Sequence, residues 1–239
     1  MLEPHAAAGI ALAAAAATVG GLCSYLVRRK PQGVRSEKEL VAALGPALVA
    51  ARPLAVEPLA EQLRTHWFGR GRPVLAVVSA EERDARTRVA GELAHAFARA
   101  GERTLLVDAD FRHPGLHRAF ALENRGGLAD FLEGRAPQLA HCAQNLSVLV
   151  AGRSAADPLE LLSRARMREL LGAAAARYSV VLVHTPPAVR GPDLQLPAAF
   201  AGGALVVTRF RAPAQPLERL RELLSSCRAR VVGAVLSPA

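Results

Sequence analysis

Beyond Gly71 the sequence settles into a single alternation, in which short apolar runs of strand length are followed by longer stretches of helical period. The runs are Val74 to Val78, Thr104 to Val107, Leu146 to Val150, Val180 to Val183, Ala204 to Thr208 and Val231 to Leu236. Helical spacing covers Thr87 to Ala100, Leu116 to Gly134 with a break at Gly126-Gly127, Pro158 to Tyr178, Asp193 to Ala201 and Gln215 to Arg228. Continuous apolar runs offer solvent no polar face, so they predict strands covered on both sides. Alternation with helices then predicts an α/β domain over residues 73–239, a parallel sheet flanked by helices.

The 239 residues are 51% apolar and 21% charged, enough to bury one sizeable core and too apolar for a disordered chain. The net charge of +9 invites an anionic partner, but apart from Lys30 and Lys38 every basic residue is an arginine, and the arginines are spread along the chain. No basic stripe interleaves with aromatic residues, so nucleic acid is not an expected partner. Cys23, Cys142 and Cys227 stand far apart and odd in number, with neither metal-ligand spacing nor a disulfide framework. His113 and His117 are the only close histidine pair, and no metal site is expected from them.

From Ala6 to Val27 the chain carries no charge for 22 residues. As a helix this stretch reaches about 33 Å, enough to cross a hydrocarbon core of about 30 Å. A cleaved signal peptide would place positive charge ahead of the apolar run, whereas here Glu3 precedes it and Arg28, Arg29 and Lys30 come directly behind. A buried helix of a soluble protein would keep a polar face. The segment therefore reads as one transmembrane helix behind a short tail (1–5), and the positive-inside bias puts the chain beyond Lys30 in the cytoplasm, as in a single-pass inner-membrane protein. Residues 28–72, punctuated by Pro31, Gly33, Gly45, Pro46, Pro53 and Pro58, read as a juxtamembrane connector. Ser36-Glu37-Lys38-Glu39 predicts a capping box opening a helix through Leu44, and a second helix is expected from Pro58 to Phe68.

Function is written at the strand ends. Asp108 and Asp110 follow the second strand, at the carboxyl edge where open α/β sheets bind ligands. Strand Val74 to Val78, loop 79–86 and a helix opened by Thr87 have the position and order of a phosphate loop, whose glycines, lysine and hydroxyl cradle phosphate and magnesium. In this setting Asp108-Ala109-Asp110-Phe111-Arg112-His113-Pro114 resembles the second Walker motif of the bacterial tyrosine kinases of capsule and exopolysaccharide synthesis. These are relatives of the division-site and plasmid-partition ATPases with deviant Walker motifs. Asn124-Arg125-Gly126-Gly127-Leu128, Asp157-Pro158-Leu159-Glu160-Leu161-Leu162-Ser163, Tyr178 to Pro187 and Gly233 to Leu236 are similar to later segments of the same family in the same order. Arg35 to Leu40 with Leu44-Gly45-Pro46 is similar to the segment after the second membrane helix of polysaccharide chain-length regulators.

The resemblance implies a P-loop NTPase-like fold, with ATP and magnesium at the sheet edge. On this sequence it maps nucleotide contacts to Arg86, Thr87 and Arg112, magnesium to Thr87 and Asp108, and catalysis to Asp108 and Asp110. The departures from the pattern concentrate in that site. The family's Gly-x-Gly-Lys-Ser/Thr falls on Arg83, Asp84, Ala85, Arg86 and Thr87, replacing both glycines and the lysine. Glu81, Glu82 and Asp84 put negative charge where triphosphate would lie. His184 stands for a magnesium-holding Asp, Ser237 for a base-reading Asn, and Glu61 for the first Arg of an oligomerisation signature that keeps Arg64. The only tyrosines are Tyr25 and Tyr178, where the resemblance implies a phosphoacceptor cluster.

Three readings are open. In the first, a membrane-anchored pseudokinase binds no cofactor and acts by contact with the inner-membrane polysaccharide polymerisation and export machinery or a chain-length regulator, as a monomer or a homo-oligomer. In the second, a divergent ATP-dependent tyrosine kinase uses Arg86 in place of the lysine. The third, a partition-type ATPase, needs an intact phosphate loop.

Overall fold

The computed structural model describes residues 33–45, 48–51, 56–82 and 84–237. The expected membrane span at 6–27 lies outside them, as do Cys23, Tyr25 and Arg83. Among the described residues no helix is long and apolar enough to cross a membrane.

All six expected strands form. With two more they build an eight-stranded sheet from β1 (Leu48–Ala51), β2 (Val74–Ser79), β3 (Thr104–Asp108), β4 (Ala140–Ala143), β5 (Leu146–Leu149), β6 (Val180–His184), β7 (Gly203–Arg209) and β8 (Arg230–Ser237). Their order is β1-β8-β7-β2-β6-β3-β5-β4, parallel throughout except for the β4–β5 hairpin. Alternate side chains serve opposite faces, as the two-residue period of a strand requires. Leu75 and Val77 join Leu63, Leu93 and Phe97 on one side, whereas Ala76 and Val78 join Leu217, Leu220 and Leu224 on the other. Further along that second side, Leu105, Val107, Val181 and Val183 pack with Leu128, Leu161 and Leu171.

The helices are α1 (Glu37–Leu44), α2 (Val56–His66), α3 (Arg86–Arg99), α4 (Leu116–Ala119), α5 (Leu128–Leu132), α6 (Pro158–Ser163), α7 (Ala165–Arg177), α8 (Gln195–Ala201) and α9 (Ala214–Ser226). The two unpredicted strands lacked a legible pattern. Ala140–Ala143 is a half-exposed edge, and Leu48–Ala51 hides among prolines, yet it pairs with β8. The stretch expected as connector thus supplies a strand to the sheet and, through Leu59, Leu63 and Trp67, part of its core.

Two expected helices are corrected. Leu116 to Gly134 is helical only at its ends, because Asn124 turns aside to clasp Gly152, donating to its carbonyl at 3.0 Å and accepting from its amide at 2.8 Å. Gly127 lies so close to the β5 exit that a Cβ there would sit 2.2 Å from the Val150 carbonyl oxygen. The Pro158 to Tyr178 helix breaks at Arg164, whose ψ of 144° is extended. Asp157 caps its first part, accepting from the amides of Leu159 and Glu160. At α1, Ser36 Oγ accepts from the Glu39 amide as expected, but Glu39 reaches back to the amide of Arg35 rather than to that of Ser36.

Candidate functional site

Parallel β2, β3 and β6 end side by side, so the residues that close them converge on one edge. Asp108 faces His184 in register, and Ser79 ends β2 next to Val207 of β7. The turn after β2 enters α3 at Arg86, and the turn after β3 reaches α4 at Leu116. Four of the five predicted site residues, Arg86, Thr87, Asp108 and Asp110, therefore meet in one cluster with the substituted His184.

Arg86 dominates this cluster. Its side chain folds inward and is buried. Nη1 donates to Ser79 Oγ at 2.5 Å, Nη2 to Asp110 Oδ2 at 3.0 Å, and Nε to His184 Nε2 at 3.2 Å. An arginine nitrogen donates only, so His184 Nε2 must carry a lone pair and its proton sits on Nδ1, which donates to Asp108 Oδ1 at 2.9 Å. Thr87 Oγ1 lies 3.1 Å from the same Nε2. A Cβ added at Gly115 would fall 2.9 Å from Thr87 Oγ1, so the threonine hydroxyl is boxed between the imidazole and the backbone of the next turn. Burial pulls the Arg86 guanidinium below its ordinary pKa, with Asp110, Asp108 and Asp84 pushing back.

Asp108 is an anchor for the turn that follows it. Oδ2 accepts from the amides of Gly115 at 3.1 Å and Leu116 at 3.0 Å, while Oδ1 accepts from the Asp110 amide at 3.1 Å and from His184. Burial raises its pKa, but His184 and the amides of Leu116 and Asp110 together hold it below the ordinary carboxylate value. Asp110 accepts from the His113 amide through Oδ1 and from Arg86 through Oδ2.

Loop 79–86 is filled as well. The buried carboxylate of Asp84 accepts from the amide of Glu81 at 3.0 Å and from that of Arg209 at 3.1 Å, taking the role of a bound anion for the loop's own backbone. Burial raises its pKa, opposed by those two amides. Arg209 Nη2 also pairs with Glu81 at 2.7 Å, and Arg190 pairs with Glu82. At the end of β8, the buried Ser237 hydroxyl accepts from Arg88 Nη2 at 3.2 Å.

Arg112 is not brought to the cluster. It turns outward, donating to Asp193 at 2.6 and 3.3 Å with Asp157 3.8 Å away. Its hydrogen bond to Asp193 leads the causes that raise its pKa. Ser79, Asp84 and Arg209 hold the site together, and of these Ser79 and Arg209 did not stand out in the sequence. Asp84 was legible as negative charge but not as an acceptor for the loop.

Magnesium requires hard oxygen ligands with open lone pairs. Both Asp108 oxygens already accept two hydrogen bonds each, from three amides and His184, and the Arg86 guanidinium lies 3.0 Å from Asp110. A divalent cation would meet a saturated carboxylate on one side and a fixed positive charge on the other, and does not fit this arrangement. Among the described residues no cluster of metal-ligating side chains occurs.

No family model matches the chain. The tyrosine-protein kinase YwqD of Bacillus subtilis (strain 168) is 33% identical over 166 residues, covering 67% of this chain and 70% of that protein. The tyrosine-protein kinase etk of Escherichia coli (strain K12) is 30% identical over 170 residues, 69% of this chain but 23% of that longer protein. The solved kinase domain of Escherichia coli tyrosine kinase ETK superposes with a TM-score of 0.78 at 25% identity, covering 87% of this chain and 95% of the domain.

Proposed function

The chain belongs to the bacterial tyrosine-protein kinase family, and we propose that it is a member whose nucleotide site is closed by its own side chains. In this reading it is a membrane-anchored pseudokinase of exopolysaccharide or capsule assembly, acting by contact on chain-length control or export. One observation carries the reading. Arg86, at the position of the phosphate-binding lysine, is buried and makes three hydrogen bonds inside the protein, one of them to the acid that would face the nucleotide. To serve a triphosphate it would have to leave Ser79, Asp110 and His184 together and strand a buried carboxylate, a cost of several kcal/mol. Asp84 adds a second obstacle, since its carboxylate already accepts from the Glu81 amide of the loop, where a phosphate would otherwise be cradled.

The alternative, a divergent kinase, is supported by Thr87 at the helix start and by the retained Asp108 and Asp110. It requires the Arg86 cluster to open. Thermal unfolding of the full chain in detergent with magnesium ATP separates the two. We expect no change in Tm at millimolar nucleotide. A ligand at 100 times its Kd stabilises the folded state by about 2.7 kcal/mol, and a rise of several degrees overturns the pseudokinase reading.

The anchor is supported by the uncharged run from Ala6 to Val27 and the basic residues behind it. Alkaline extraction of membranes carrying the full chain tests it. The protein should stay in the pellet, and its release to the supernatant refutes the span.

A further inference from the structure

Val34 is the first tether of the described chain. It forms a two-way bridge to the turn between β7 and α9, its amide donating to the Ala212 carbonyl and its carbonyl accepting from the Arg211 amide, both at 2.8 Å. Its side chain is buried with Leu40 and Leu217. The neighbouring Gly33 passes so close that a Cβ would sit 2.1 Å from the Arg211 carbonyl oxygen. The point where the chain enters the domain is therefore fixed against Arg211 and Ala212.

Only Arg28 to Gln32 separate Val27 from that point. Fully extended, this link spans roughly 20 Å. A domain of this size has a radius of gyration of about 16 Å and measures about 40 Å across, so a chain anchored through residues 6–27 holds the edge around Arg211 near the bilayer. That edge presents suitable chemistry. Phe210 is exposed, and the Arg211 guanidinium lies 5.4 Å from its ring centroid. Arg211 adopts φ of 64°, left-handed backbone that a non-glycine residue seldom takes. Val189, 66% exposed, is the most exposed large apolar side chain described, and its amide bonds to the Ala80 carbonyl on the same edge. Arg190 and Arg209 there are neutralised by Glu82 and Glu81. Among the described residues neither Arg35 nor Arg211 forms an ion pair, and Arg28, Arg29 and Lys30 lie just upstream.

We propose that the sheet edge carrying Val189, Phe210 and Arg211 rests on an anionic phospholipid surface, with Phe210 at the headgroup boundary and Arg35 and Arg211 on lipid phosphates. Apolar side chains flanked by cations bind such surfaces by combining buried area with charge attraction. The inference rests on the anchor reading.

The test uses the full chain with Phe210→Trp, reconstituted in vesicles whose acyl chains are brominated and whose headgroups are phosphatidylcholine alone or mixed with phosphatidylglycerol. Trp67, buried and bonded to the Val74 carbonyl at the opposite end of β2, is a built-in control about 20 Å away. In the mixed vesicles the fluorescence of Phe210→Trp should fall by roughly half, because an interfacial side chain sits within about 10 Å of the acyl boundary. The parent chain, reporting Trp67 alone, should not change. Adding Arg211→Gln should weaken the lipid-dependent part roughly fivefold, what one cation contributes near an anionic surface. Chains that float with the vesicles but show no quenching, or equal quenching in phosphatidylcholine alone, overturn the inference and leave the anchor standing. Chains that do not float overturn both.

Discussion

Two turns at the same sheet edge have diverged in opposite ways. After β3 the residues that mark the family, Asp108 and Asp110, are retained, yet their oxygens are spent on amides, His184 and Arg86. After β2 the defining glycines and lysine are gone, yet the position is kept and filled, with Arg86 as an internal cation and Asp84 as an internal anion. Retained identity in one turn and lost identity in the other converge on a single result, a site whose charges are satisfied without a ligand. A motif therefore testifies to ancestry through its residues and to chemistry only through its unspent valences.

The largest effect is expected at Asp108. Asp108→Ala leaves three buried amides and His184 without an acceptor, and should cost more than about 4 kcal/mol in denaturant unfolding, roughly 10 °C or more in Tm. A near-neutral result would mean that the turn after β3 does not depend on its acid. Arg86→Ala comes next, at about 3–5 kcal/mol, because it strands Asp110 in a buried site. The double variant Arg86→Met with Asp110→Leu should recover most of that loss, and failure to recover would show that the pair is not the unit that closes the site.

Acid sharpens the contrast between the two turns. The folded pKa of Asp108 lies below its unfolded value of about 3.9, so its contribution is present above that pH and is lost as pH falls through the lower folded value. Asp84 is shifted upward, so its contribution is present at low pH and is lost as pH rises through its folded value. The stability gap between the parent and Asp108→Asn should therefore narrow below about pH 4, whereas the gap for Asp84→Asn should widen as pH falls towards about 4 and stay level below it. Chemical denaturation across that range measures both. The smallest effect is expected for Arg112→Ala, about 1–2 kcal/mol, since Arg112 is partly exposed but its removal leaves the buried Asp193 carboxylate without that donor.

Much of this was legible in the sequence, for a definite reason. A strand covered on both faces must be apolar at every position, and β2, β3, β5 and β6 are buried throughout. Such runs admit few alternatives. The edge strands were not legible, because β4 alternates between half-buried and exposed and its partner is set by a hairpin turn through Asn145 at φ 65°. At the site, spacing brought five residues to one edge but gave no sign of which lone pair each would meet. Arg86 and Asp110 are 24 positions apart and Arg86 and His184 are 98 apart, separations over which only strand order decides contact. Arg112 shows the converse, since it sits two residues from Asp110 yet is drawn away by Asp193, 81 positions on.

By itself the sequence determined the class of fold, the family and the edge where its chemistry would lie, because apolar periodicity and short-range motif order are local properties. Only the tertiary structure decided that Arg86 points inward, that Asp84 serves the loop and that Arg112 leaves the site. Those choices depend on which donors and acceptors burial leaves without water, and they are settled once the strands are side by side.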